Sequence, residues 1–174
     1  LLTHPDVDLV TFTGGVAIGK AIAAKAVCKR QVLELGGNDP LIVMDDADLD
    51  EAAALAASGS YKNSGQRCTA VKRIFVHQKI AADFTEALLA RTRAWSYGDP
   101  LDPKTRLGAI VDQVQLNTVM GYIESGQEEG AQVRLGGKRA RKDSGGYFIE
   151  PTVFADVKPG MKIAREEIFG PVLS

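Results

Sequence analysis

Cys68 lies in NSGQRCTA, residues 63 to 70, among small polar side chains and next to an arginine. The thiolate is the reactive form of cysteine, favoured by a nearby cation and by a polar, flexible setting at the edge of a sheet. Arg67 supplies the cation, and Ser64, Gly65, Gln66 and Thr69 supply the setting, just ahead of a strand. The other cysteine, Cys28 in AVCKR, ends a helix and reads as packing. A nucleophile of this kind wants a base. His4 and His77 are the only histidines, and neither has a convincing third partner, which disfavours a Cys–His hydrolase. Glu34 is the remaining candidate, the sole acidic residue of QVLELGG. A buried carboxylate with a raised pKa can act as general base toward water, and the glycine pair after it lets a ligand approach the backbone. Both residues also have readings without chemistry: Cys68 as a small core side chain, Glu34 as a strand residue facing solvent.

A second motif concerns phosphate. GGVAIGK, residues 14 to 20, nearly satisfies the phosphate-loop pattern GxxxxGK[ST], with a strand before it and a helix after it. Ala21 stands where a magnesium-binding hydroxyl belongs, so a nucleotide hydrolase is disfavoured, and Val16 breaks the dinucleotide fingerprint GxGxxG. What remains is a glycine turn at a helix N-terminus, whose free N–H groups and dipole attract phosphate. A plain tight turn is the competing reading.

The elements that must hold these residues follow from periodicity and punctuation. Strands are expected at 8–12, 31–35, 41–44, 73–77, 132–135 and 147–153, and helices at 18–27, 48–60, 81–95 and 113–129. Asp48 with Glu51 forms a variant capping box, and Ala81, Phe84, Ala87 and Leu88 share one helical face. The GGNDP link leaves no room for a helix between two strands and suits a crossing between domains. Alternating strands and helices predict an α/β fold with a largely parallel sheet. The 174 residues are 45% hydrophobic, with 21 basic and 22 acidic side chains, so neither nucleic acid nor an anionic membrane is an expected partner. The cluster Lys138, Arg139, Arg141 and Lys142 lies between glycine pairs and reads as a solvated loop. Two cysteines build no disulfide framework, and no Cys/His cluster offers a metal site. Thiol usage, with no apolar run near the ~20 residues of a membrane span and no targeting signal, points to the cytoplasm.

Four segments in this order, FTGGVAIG (12–19), LELGG (33–37), GQRCTA (65–70) and EEIFGPV (166–172), resemble the NAD(P)-dependent aldehyde dehydrogenases over essentially the whole chain. The separation of Glu34 and Cys68 is the one that family keeps between base and nucleophile. The resemblance implies a three-layer α/β/α fold. It makes residues 1–36 the C-terminal part of an NAD(P)-binding domain, and 37–174 a catalytic domain incomplete at its C-terminus. It also implies roles. Cys68 would attack the aldehyde as thiolate, its own N–H helping to hold the oxyanion, and Glu34 would activate the water that hydrolyses the thioester. Thr13, Gly14, Gly15 and Gly19 would lie along the pyrophosphate of NAD or NADP, Leu35 and Gly36 would border the nicotinamide, Glu167 would hold its ribose, and Phe169 would pack near its ring. Gly15 replaces the serine of the family's usual FTGS, which removes one hydroxyl from the phosphate site. Asn38 and Asp39 also depart from the common ELGGK form, with no consequence readable from sequence.

Arg67 and Thr69 would face the aldehyde. KRQVLELGGNDPLIV with KNSGQRCTAVKR resembles the branch that oxidises phosphonoacetaldehyde, so a phosphonate- or phosphate-bearing aldehyde clamped by Arg67 is one expectation. A loop brace is the other. The chain reads as a fragment, expected to have little dehydrogenase activity alone, from a full-length protein expected to be a homodimer or homotetramer. A non-catalytic binding or assembly domain that keeps the fold is the rival from another class.

Overall fold

A computed structural model describes all 174 residues, which divide into two compact units, Leu1–Gly37 and Asn38–Ser174. In the first, β1 (Leu9–Thr13), α1 (Val16–Lys25) and β2 (Arg30–Glu34) form one strand–helix–strand unit. LVTFT and RQVLE alternate half-buried with exposed positions, and the strands pair in parallel from Leu9↔Arg30 to Thr13↔Glu34. Alanine-rich α1 starts at Gly15 and ends where the Ala26 N–H reaches the Ile22 carbonyl. Cys28 is exposed and has φ +68° in the turn beyond. This corrects the reading of Cys28 as a packing residue: it is the third residue of a turn closed by the Lys29 N–H on the Ala26 carbonyl (3.0 Å), where a positive φ is used, and the thiol is left in solvent.

The second unit contains β3 (Asp39–Val43), α2 (Leu49–Tyr61), β4 (Val71–Val76), α3 (Ala81–Arg93), α4 (Gln113–Glu128), β5 (Gln132–Leu135), β6 (Arg139–Ala140), β7 (Phe148–Ile149), β8 (Thr152–Ala155), α5 (Lys162–Arg165) and β9 (Val172–Leu173). β3 pairs with β4 and β8 with β9, both in parallel, and β5 adds antiparallel to β8. Ser174 joins these sets: its N–H donates to the Lys72 carbonyl (3.0 Å), and its own carbonyl accepts from the Ile74 N–H (2.8 Å). The result is a largely parallel sheet in the order β3, β4, β9, β8, β5. A separate antiparallel ribbon pairs β6 with β7.

Adjacent strand residues send their side chains to opposite faces of the sheet. Val153 and Leu173 belong to a core with Ala53, Ala56, Tyr61, Phe84 and Leu88 of α2 and α3; Phe154 and Val172 belong to another with Leu116, Val119 and Ile123 of α4. β8 and β9 are therefore covered on both faces, which is the three-layer α/β/α arrangement. The expected strand over 147–153 is broken in two at Glu150 and Pro151, because proline has no N–H to give a ladder. β6, α5 and β9 are too short to have been signalled by periodicity.

Candidate active site

α2 delivers the chain to Cys68. The Asp48 side chain accepts from the Glu51 N–H (3.0 Å) at the start of the helix, as the capping signal predicts. At its other end the buried Tyr61 hydroxyl donates to the Thr152 carbonyl (3.1 Å), and burial holds its phenol well above the ordinary range. Then Asn63, Ser64 and Gly65 all take left-handed conformations, with φ of 53°, 55° and 69°. Such residues normally occur singly; Gly65 takes the conformation freely, so the strain that the surroundings must hold is that of Asn63 and Ser64. Ser64 Oγ donates to the Gly108 carbonyl (2.8 Å), Asn63 Nδ2 to the Gln66 carbonyl (3.1 Å), and Gln66 Oε1 accepts from the Val111 N–H (2.9 Å). A turn closed by the Ala70 N–H on the Arg67 carbonyl (3.2 Å) follows, with Cys68 and Thr69 as its central residues. Cys68 is half-buried and Thr69 exposed, immediately before β4.

Arg67 does not stand free. Its Nη2 donates to the Gly59 carbonyl in the last turns of α2 (2.7 Å), and its Nε is buried without a partner. Of the two expectations for this side chain, that contact is what a loop brace makes.

Lys72, which sequence reading passed over, lies 1% exposed in β4. Its Nζ donates to the carbonyls of Gly65 (2.9 Å) and Gly170 (2.6 Å). Burial pushes its pKa down from 10.5 to about 8, against the pull of Glu167 and with a smaller push from Arg67. The only local signal is a lysine at the second position of the strand VKRIFV, where the alternation sends it to the face opposite Arg73. Gly170 belongs to the EEIFGP segment, where Phe169 has φ +53° and Gln115 Nε2 donates to the carbonyls of Ile168 (3.2 Å) and Phe169 (3.0 Å). The Tyr122 hydroxyl donates to Glu166 (2.9 Å), and Glu167 is half-buried. Asn38, silent in the sequence, ties the start of β3 to α5 through Nδ2 on the Ala164 carbonyl (3.0 Å), and its own carbonyl accepts twice from Arg73.

In the first unit the Gly14 N–H donates to the Glu34 carbonyl (3.0 Å), so the glycine turn and Glu34 sit together at the C-terminal ends of two adjacent parallel strands. That is where ligands bind in open α/β sheets. Gly15 caps α1 with extended backbone and no side-chain hydrogen bond, and the first turn carries no acidic residue to neutralise the helix dipole. Gly19 is buried against Leu35; a Cβ there would come 2.4 Å from Leu35 Cδ2. A glycine turn at a helix N-terminus that no side chain caps fits a pyrophosphate. Glu34 itself is exposed, as the reading of a strand residue facing solvent has it and not as a buried carboxylate, since it ends a strand whose alternation turns it outward. Glu34 and Cys68 belong to different units.

Comparison with known proteins covers this whole arrangement. A betaine aldehyde dehydrogenase of Rhizobium etli is 49% identical over 177 residues, matching 100% of this chain and 36% of the relative. Among solved structures, gamma-glutamyl-gamma-aminobutyraldehyde dehydrogenase from Burkholderia cenocepacia matches with TM-score 0.95 and 50% identity, over 99% of this chain and 36% of that one. An indole-3-acetaldehyde dehydrogenase in complex with NAD+ matches with TM-score 0.97 and 45% identity, over 99% and 36%. The chain thus spans just over a third of the length of these relatives. None of the three is named for phosphonoacetaldehyde. The model of the aldehyde dehydrogenase family matches residues 1–174 from end to end, and the chain belongs to that family.

Proposed function

We propose that the protein to which this chain belongs oxidises an aldehyde to a carboxylic acid with NAD(P)+, using Cys68 as nucleophile and Glu34 as base. The observation that carries this reading is the strained, many-times-tethered loop that presents a half-buried thiol immediately before β4. Strain held in place by four separate side chains is how a site keeps a reactive group in one geometry. The relatives' names, all aldehyde dehydrogenases and one in complex with NAD+, support the same chemistry.

Cys68 Sγ, as thiolate, adds to the carbonyl carbon, and the oxygen takes the negative charge as a thiohemiacetal oxyanion, with the Cys68 N–H as one donor. NAD(P)+, when bound, would supply the hydride acceptor for this carbon. Thr13, Gly14, Gly15 and Gly19 would hold its pyrophosphate, Leu35, Gly36 and Phe169 would bound its ring, and Glu167 would hold its ribose. What remains on Cys68 is a thioester. Glu34 then takes a proton from water, hydroxide adds to the acyl carbon, the C–S bond breaks, and the acid leaves with thiolate restored.

The test uses the whole protein. Cys68→Ala should lower aldehyde-dependent NADH formation by about a thousandfold or more, whereas Glu34→Gln should keep a burst of about one NADH per site and then turn over slowly, because only thioester hydrolysis needs the base. Unchanged steady-state turnover in either variant would sink the assignment.

For the substrate, the Arg67 contact with Gly59 supports a brace rather than an anion clamp. We therefore propose an aldehyde without a required phosphonate or phosphate group.

A further inference from the structure

Lys72 keeps an ammonium in the middle of a sheet where a methionine or leucine would fill the same space without desolvating a charge. The positions of its two carbonyl partners in the chain matter: Gly65 is three residues before Cys68, and Gly170 directly follows Phe169. With Gln115 on Ile168 and Phe169, three consecutive carbonyls of the EIFGP segment each accept from a side chain. The two loops also meet main chain to main chain. A Cβ on Gly65 would lie 2.1 Å from the Gly170 oxygen and 2.8 Å from Lys72 Nζ, so the ammonium occupies a gap that only glycine leaves open.

We propose that Lys72 is a positioning residue that locks the Cys68 loop to the Glu167–Phe169 segment, so that the nucleophile and the cofactor-contacting residues move as one piece. The assignment rests on the roles given to Cys68, Glu167 and Phe169 in the proposed function. Its consequence is a coupling: cofactor bound at Glu167 and Phe169 alters the reactivity of Cys68 through Lys72, and by reciprocity alkylation of Cys68 alters cofactor affinity.

The experiment compares the native whole protein with Lys72→Met, Lys72→Gln and Lys72→Arg. The rate of Cys68 alkylation by iodoacetamide, read on its own peptide by mass spectrometry, is measured without cofactor and with saturating NAD+, beside kcat and KM for NAD+. In the native protein NAD+ should change the alkylation rate by about fivefold or more. In Lys72→Met and Lys72→Gln that ratio should fall to within about twofold of unity, and kcat/KM should drop about tenfold or more. Without cofactor, alkylation in both should differ from native by about threefold or more, and Lys72→Arg, which keeps the charge but brings a larger planar head into the gap, should recover only part of each effect. Should Lys72→Met not fold, Lys72→Gln decides, since its shorter stem cannot span both carbonyls. A neutral variant that loses only thermal stability while keeping the native ratio and kcat/KM overturns the proposal, as does a native ratio of unity. Absence of aldehyde-dependent NADH formation by the native protein is a different failure, and takes the functional reading down with it.

Discussion

At the scale of single residues, two substitutions separate what the loop and the turn do. Gly15 has φ −67° and open space around a would-be Cβ, so a serine fits without strain. Gly15→Ser should restore a hydroxyl donor at the helix N-terminus and tighten NAD+ binding by two- to tenfold, the ~0.5–1.5 kcal/mol of one hydrogen bond. Its effect on melting temperature should be small, because glycine is already an acceptable cap, within a few tenths of a kcal/mol of serine. Fluorescence titration of the cofactor against a melting curve distinguishes the two. Arg67→Ala removes the brace on Gly59. It should lower kcat/KM for phosphonoacetaldehyde and for propanal by the same factor, whereas a selective loss on the phosphonate would restore the clamp. The exposure of Cys28 also sharpens thiol labelling. Access favours Cys28 over the half-buried Cys68, so faster alkylation at Cys68 reports activation and not exposure.

At the scale of elements, α2 is the lever that aims the loop, and its cap is the part most simply tested. Asp48→Ala removes the acceptor of the Glu51 N–H and should cost about 0.5–2 kcal/mol of stability, measurable by urea unfolding. Asp48 was legible because capping is a local rule with a fixed spacing. So were β1, β2, α3 and α4, whose periodicity runs over enough residues to be seen, and they stand within a few residues of the expected bounds. β6, β9 and α5 were not, because two to four residues carry no period and their pairing is set by distant chain. The left-handed run at Asn63, Ser64 and Gly65 was equally hidden. Asn63 and Gly65 are types that tolerate such a conformation singly, but Ser64 between them is not, and the tethers at Ser64 and Gln66 come from Gly108 and Val111, over forty residues away.

At the scale of the whole molecule, Lys72 couples chain ionisation to stability in a direction opposite to that of a salt-bridged lysine. Motifs mark Cys68, Glu34 and the glycine turn because their signals are local; the partners of Lys72 are not legible in the sequence, because Gly65 and Gly170 meet it only in the folded sheet. In the folded protein burial lowers its pKa to about 8, with Glu167 opposing and Arg67 assisting, while the unfolded chain titrates near 10.5. Between those values the unfolded state binds the extra proton. Stability therefore rises with pH across the window, and below about pH 8 the folded state carries the full cost of an ammonium out of water. The limiting gain is about 3 kcal/mol, at 1.36 kcal/mol for each pH unit between the two values. Lys72→Met has no such term. Unfolding free energies of the native protein and Lys72→Met, measured in urea at pH 7, 8.5 and 10, should diverge in the native protein's favour as pH rises, with ionisations common to both, such as that of Tyr122, cancelling in the difference. A difference that stays flat across this range would mean that the Lys72 ammonium is not desolvated in the folded sheet.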